Sequence, residues 1–276
     1  MREIQAASIT EAIAALCRQA AYHLGEGVED ALQKAAAEET APTAQAALHM
    51  TLDNARIAAQ ERFPLCQDTG MAVVFADIGQ DVHIQGDFSA AVQQGVRQGY
   101  SGLRASVLSP LTRLNTRDNT PAVVHVRLVP GDALHLTLAP KGFGSENMSR
   151  LAMLKPADGE EGVVAFVQET VRLAGGNPCP PVILGVGVGG TMELCCLMAK
   201  HALLRPVGSI HPDPEAAALE AKLLQAANAT GVGAQGWGGR VTALAAFVEL
   251  HPTHIAGLPV AVNMQCHVAR HASVTL

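Results

Sequence analysis

The chain has 276 residues, 49% of them hydrophobic and 16% charged, with a formal net charge of -6, which is enough apolar material for one large domain or two small ones with a buried core. The acidic balance, the lack of any Lys/Arg block and an aromatic content of only 3% argue against a nucleic-acid partner, which needs clustered positive charge or stacking platforms. No apolar run approaches the ~20 residues that cross a bilayer, and the N-terminus lacks the basic-then-apolar pattern of a signal peptide, so no membrane association and a cytoplasmic location are expected.

Residues 10–24, 28–39 and 43–63 carry Ala and Leu at helical spacing, which predicts three helices with Thr10 and Thr43 as N-caps. They form a helical lead-in over residues 1–62. After the turn-forming PLCQDTG, residues 64–70, the Gly-bounded MAVVFADIG predicts a buried strand over 71–79, and residues 87–100 return to helical spacing. Two apolar runs flank Pro130-Gly131-Asp132 and predict a β-hairpin. Acidic residues at the start of 158–174 and Gly175-Gly176 after its end bound another helix. A strand over 182–190, helices over 191–204 and 215–230, a Gly-rich loop over 231–240 and strands over 242–250 and 258–266 complete the order. Helices and strands alternate without a repeat or a low-complexity linker. The expectation is one mixed α/β domain spanning 1–276, an N-terminal helical layer followed by a core over 63–276.

GVGVGG, residues 185–190, satisfies G-x-G-x-x-G between a strand and a helix. A dinucleotide-binding unit would return to a second strand bearing an acidic residue about twenty positions on. LLRPVGSIHPDP stands there instead, and its prolines oppose a central strand. The glycines are therefore expected to permit close helix–strand packing. His211, His251 and His254 have no spacing that dictates a metal site and read as loop or surface residues.

Six cysteines without a secretion signal or a CxxC pair read as thiols or metal ligands rather than as a disulfide framework. Cys17, Cys195 and Cys196 lie inside apolar helical runs and read as small buried hydrophobes. Cys66, Cys179 and Cys266 lie at element ends or in loops. Cys66 stands two residues before Asp68 in a turn, Cys179 lies among prolines in NPCPP, where the backbone is expected to be extended, and Cys266 lies where an apolar strand gives way to His and Arg. Three thiolates from separate segments suit a structural zinc or an iron–sulfur cube with one iron free of protein. The charges of Asp68 and Arg104 favour the second, because an open iron acts as a Lewis acid on a substrate oxygen while fixed charges orient the rest.

PLCQDTG, GLRASVLSPLTRLNTRDNTPA, APKGFGSENMSRLAML, NPCPPVILGVGVGGTME, KHALLRPVG and VNMQCHVARH occur in this order. Together they resemble the α-subunit of class I, iron–sulfur-dependent fumarate hydratases and their tartrate dehydratase relatives, from about the second helix to the C-terminus. The resemblance implies a 4Fe-4S cluster held by Cys66, Cys179 and Cys266, with its fourth iron coordinating substrate hydroxyl and carboxylate during reversible addition or loss of water. It implies that Gln67 and Asp68 contact substrate, with Asp68 in a catalytic role, and that Arg104 binds a carboxylate. It also implies that Gly142, Ser145 and Asn147 of the KGFGSEN loop contact substrate, with Lys141 as a further carboxylate ligand. Phe143 departs from the Lys-Gly-Gly-Gly-Ser pattern usual in single-chain members.

In those single-chain members the general base and several substrate contacts come from a C-terminal domain with no counterpart in these 276 residues. The resemblance thus implies a smaller β-subunit as obligate partner in a hetero-oligomer, and poor or no turnover by this chain alone. His267, Arg270 and His271, beside a proposed ligand, are expected to tune cluster charge or receive the partner, with a solvated terminus as the alternative. KGFGSEN resembles the fumarate-type α-subunits more closely, so hydration of fumarate to malate is the expected activity on a small dicarboxylate, and dehydration of L(+)-tartrate to oxaloacetate is the alternative. In a different class, the same thiols would build a non-catalytic zinc or cluster scaffold.

Overall fold

The computed structural model describes residues 2–276. In chain order the elements are β1 (Arg2–Gln5), α1 (Ala6–Tyr22), α2 (Val28–Glu38), α3 (Pro42–Glu61), β2 (Met71–Gly79), β3 (Val82–Gln85), α4 (Phe88–Gly99), β4 (Val123–Val129), β5 (Leu134–Lys141), α5 (Phe143–Glu146), β6 (Arg150–Leu154), α6 (Gly159–Ala174), β7 (Val182–Gly189), α7 (Met192–Ala202), α8 (Pro214–Asn228), β8 (Ala243–His251), β9 (Leu258–Gln265) and β10 (Ala272–Thr275). The fold is mixed α/β, and the chain divides into two compact units. Unit 1 comprises residues 1–25, 55–143 and 270–276; unit 2 comprises residues 26–54 and 144–269. Among the described residues no helix is long and apolar enough to cross a membrane.

Unit 1 is built on a four-stranded sheet in the order β10-β5-β2-β4, beside a small parallel pair of β1 and β3. Alternate residues Ala72, Val74 and Ala76 of β2 and Leu134, Leu136 and Leu138 of β5 form a core with Ile9, Ile13 and Leu16 of α1 and Val92 and Val96 of α4, as period-2 and period-3.6 patterns require. The two helices cross where α4 carries glycine: a Cβ on Gly95 would stand 2.7 Å from both Ile13 Cβ and Thr10 O. Thr10 is therefore no N-cap. Gln5 occupies that position, and Thr10 lies within α1, its hydroxyl donating to Ala91 O of α4 at 3.0 Å. Thr43 likewise lies inside the first turn of α3, which Pro42 opens, a position where the missing N–H costs nothing.

The expected β4–β5 hairpin does not form. Both strands pair with β2, which lies between them, antiparallel to β5 and parallel to β4. The physical reason is in β2 itself, where five consecutive residues, Ala72–Ala76, are buried: a strand apolar on both faces gains most from a central position. The Pro130–Asp132 turn then opens wide enough to take the end of β2, with Gly79 N–H donating to Ala133 O at 2.9 Å and Gln80 N–H to Val129 O at 2.8 Å.

Unit 2 has a second four-stranded sheet, β6-β9-β7-β8, in which β7 runs parallel to β8 and antiparallel to β9. Val182, Leu184 and Val186 of β7 pack with Val163, Val167 and Val171 of α6 and Leu219 and Leu223 of α8. The opposite face of β7 presents Gly185 and Gly187 to α7, where a Cβ would overlap the carbonyl oxygens of Ala199 and Cys195. The GVGVGG stretch thus serves helix–strand packing. Cys195 lies in this contact, donates its thiol to Gly187 O at 3.1 Å, and is held up to about 12 by burial. Cys17 in unit 1 is likewise pushed to about 12 by burial. Cys196, expected to be buried with them, is exposed, because consecutive helical residues point about 100° apart.

At the α2–α3 junction Glu39 is 4% exposed, and its carboxylate accepts from Thr40, Ala41 and Arg240 N–H at 2.8, 2.9 and 2.8 Å and from Val241 N–H at 3.3 Å. Burial alone would raise its pKa. The four backbone donors outweigh that effect and hold it below the usual carboxylate range. This one side chain ties the glycine-rich 231–240 loop to the helical segment of unit 2.

Candidate active site

Six of the residues singled out in the sequence lie in unit 1: Cys66, Gln67, Asp68, Arg104, Lys141 and Gly142. The turn after α3 is shaped by Asp68. Its Oδ1 accepts Gly70 N–H at 2.9 Å, its Oδ2 accepts Phe143 N–H at 2.9 Å, and its own N–H donates to Cys66 Sγ at 3.4 Å. Cys66 Sγ also lies 3.4 Å from Gln67 Oε1. Thr69 reaches the other way, donating to Arg104 O at 2.7 Å, and Asn119 Nδ2 donates to the same carbonyl at 3.2 Å. Arg104 is thereby anchored by its backbone beside Asp68, with its side chain exposed.

Glycine is required twice here. Gly70 has φ +78°, and a Cβ on it would stand 3.0 Å from the Lys141 carbonyl; a Cβ on Gly142 would stand 3.3 Å from Asp68 Oδ2. The end of β5 therefore lies directly against the Cys66–Gly70 turn, carrying Lys141, which is 4% exposed. The turn thus carries a thiol and a carboxylate, with the backbones of Lys141 and Arg104 held against it.

Unit 2 holds Ser145, Asn147, Cys179 and Cys266. Cys179 closes a turn with its N–H donating to Gly176 O at 3.1 Å, and its φ is +55°. The expectation of extended backbone fails at this residue. A non-glycine residue in the left-handed region is strained and persists only where its surroundings impose it. Here Gly176 packs backbone-to-backbone on Gly236, while Gln235 donates both its backbone N–H, at 2.8 Å, and its side-chain amide, at 2.9 Å, to Pro180 O. Cys266, at the end of β9, is brought alongside: His267 Nδ1 lies 2.9 Å from Cys179 O, so that nitrogen carries the proton and donates. Burial holds His267 below its ordinary pKa, which keeps the ring neutral. Gln265 Nε2 approaches Cys266 Sγ at 3.7 Å.

Among the described residues no three His, Cys, Asp or Glu side chains form a metal-binding group, and none of the six cysteines is joined in a disulfide. The chemistry of the donors nevertheless fits an iron–sulfur cluster. Amide N–H groups approach the sulfurs of Cys66 and Cys266, as the hydrogen bonds around cluster-ligating sulfurs do. Burial opposes ionisation of Cys17 and Cys195.

Ser145 is buried in the short helix α5, and Asn147 just beyond it is exposed. Between them stands Glu146, which sequence reasoning passed over. It pairs with Lys200 at 2.5 Å and accepts from Asn263 Nδ2 at 3.0 Å. The available signal was the alternation of Asn263 and Gln265 in an otherwise apolar strand, which marks one polar face on β9. Arg270 is a second such residue, for which the sequence suggests cluster tuning, partner contact or a solvated terminus. It is buried, and its guanidinium donates to Asp68 O and Thr69 O.

The family model described as Fumarate hydratase (Fumerase) matches residues 10–275. A Methanocaldococcus jannaschii protein provisionally named L(+)-tartrate dehydratase subunit alpha is 40% identical over 273 residues, covering 96% of each chain. Proteins named L(+)-tartrate dehydratase subunit alpha from Escherichia coli strain UTI89 and from Shigella sonnei are each 30% identical over 272 residues, covering 96% of this chain and 90% of theirs.

Proposed function

Since the chain belongs to the fumarate hydratase (Fumerase) family of hydro-lyases, we propose that it is the α-subunit of an iron–sulfur L(+)-tartrate dehydratase, acting with a β-subunit. The observation that carries this reading is similarity along 96% of the chain to proteins named as α-subunits of that enzyme. It reverses the substrate order expected from the KGFGSEN loop.

Cys66, Cys179 and Cys266 are the residues that would hold a 4Fe-4S cluster, which when bound supplies a Lewis acid for the substrate hydroxyl that departs. The protein's part is binding and orientation. Arg104 and Lys141 provide cations for the two carboxylates, and Gln67 and Asp68 orient the hydroxyl groups beside Cys66. Two backbone N–H groups hold the Asp68 carboxylate in one place. Water lost from tartrate leaves an enol that tautomerises to oxaloacetate, and the group that takes the carbon-bound proton is assigned to the β-subunit.

Hydration of fumarate is the second reading, favoured by the description of the matching family. Anaerobic co-production of this chain with its natural partner, followed by iron and sulfide analysis and parallel assays on L(+)-tartrate and fumarate, decides between them. Tartrate turnover by a brown, oxygen-sensitive complex is expected. Turnover of fumarate alone overturns the substrate, and stoichiometric zinc without iron overturns the enzyme reading in favour of a scaffold.

A further inference from the structure

We propose that Arg270 is a positioning residue that clamps the Cys66–Gly70 turn through its backbone and so sets where the Asp68 carboxylate stands. Arg270 is 6% exposed, so its charge is held almost wholly out of water, an arrangement that is costly unless the guanidinium is well hydrogen-bonded. Among the described residues its acceptors are two successive carbonyl oxygens, those of Asp68 and Thr69, the latter at 3.3 Å. Both bonds leave one nitrogen, Nη2, and the planar guanidinium fixes the directions of its two N–H donors, whereas the donors of a lysine ammonium rotate about a single carbon–nitrogen bond.

What the guanidinium leaves alone matters as much. The Asp68 carboxylate takes its hydrogen bonds from Gly70 and Phe143 N–H. Arg270 thus immobilises the residue by its main chain without neutralising its side chain. The same turn is braced from the other side by Thr69 on Arg104 O. With both braces in place, Cys66 Sγ, the Asp68 carboxylate and the Arg104 backbone move as one body. Behind Arg270 lies the wholly buried Tyr100 hydroxyl, whose pKa burial raises and the nearby guanidinium charge pulls the other way.

The bearing on catalysis rests on the reading of Cys66 and Asp68 as site residues; the clamp itself does not. Amide hydrogen exchange on the full-length chain under anaerobic conditions tests it, comparing wild type with Arg270→Lys. The Asp68 and Gly70 amides are the reporters, since both donate within the turn. The lysine variant is expected to exchange these two amides about tenfold faster or more, with β2 and β5 unchanged. In the complex with the partner subunit, kcat on L(+)-tartrate is expected to fall more than KM rises. Unaltered exchange at Asp68 and Gly70 in a folded variant overturns the clamp, and so does an increase spread equally over β2 and β5, which is what a scaffold role produces. Should the variant not fold, NMR of the wild-type arginine side chains decides: distinct, slowly exchanging Nη protons on Arg270 are expected, and a single averaged signal overturns the proposal. Absence of iron from the wild type refutes the functional reading and leaves the exchange result standing.

Discussion

The turns that carry Cys66 and Cys179 present a thiol by opposite means. In unit 1 the turn is held by side chains: Asp68 folds onto two N–H groups, Thr69 reaches Arg104 O, and Arg270 grips two carbonyls. In unit 2 backbone lies against backbone, Gly176 on Gly236, around a left-handed Cys179 between prolines, with the neutral side chains of Gln235 and His267 on Pro180 O and Cys179 O. The first design fails when an acceptor or donor is removed, the second when a methyl group is added. Charged side chains brace the turn in unit 1, whereas neutral side chains and close backbone packing brace the one in unit 2.

The largest expected effect treats the two turns alike. Cys66→Ser, Cys179→Ser and Cys266→Ser should each abolish iron retention, measured as iron and sulfide per chain after anaerobic reconstitution, whereas Cys195→Ser should retain both; equal losses from all four would contradict the sorting of thiols. Next, Asp68→Asn should lower kcat about 100-fold while iron content stays at the wild-type level, because the amide oxygen still accepts one N–H. A matching loss of iron would show that the carboxylate serves only the turn.

Gly236→Ala probes the other turn. Its φ is +78° and its Cβ would stand 2.7 Å from Gly176 Cα, so strain and overlap together should cost roughly 2–4 kcal/mol. Gly102→Ala, at φ +85° with open space around it, should cost only about 1 kcal/mol. Equal shifts in denaturant midpoint would remove the packing argument.

Glu39→Gln should cost roughly 1–2 kcal/mol, and it carries a pH signature. The folded carboxyl lies below its unfolded value, so its contribution is fully present above the unfolded pKa of about 4.3 and is lost as pH falls through the folded one. Urea midpoints against pH should therefore decline less steeply in acid for the glutamine variant, and an identical slope would exclude Glu39 as the source. The smallest effect has the opposite sign: Cys179→Gly should gain about 1 kcal/mol by relieving the left-handed strain, while abolishing iron retention. A loss of stability there would mean that the strain is not stored at Cys179.

Much of this was readable along the chain. The Gly-bounded apolar run MAVVFADIG marked β2 to the residue, the glycines after Ala174 marked the end of α6, and loop positions separated Cys66, Cys179 and Cys266 from the buried Cys17 and Cys195. Other features were hidden for identifiable reasons. The short strands β1, β3, β6 and β10 hold four or five residues each, too few for a pattern to stand out. Arg270 looks like any arginine near a terminus until the carbonyls it grips, some two hundred residues earlier, are beside it.

Local order along the chain determined the helices, the long strands, the close contact demanded by GVGVGG and the kinds of atoms available for chemistry, because these follow from side-chain periodicity and backbone freedom over a few residues. Only the tertiary structure decided that β2 would part β4 from β5, that Cys179 would be left-handed and that a buried guanidinium would grip the Asp68 turn. Those outcomes depend on which distant groups compete for the same hydrogen bonds and the same buried space, a competition that no short stretch of sequence contains.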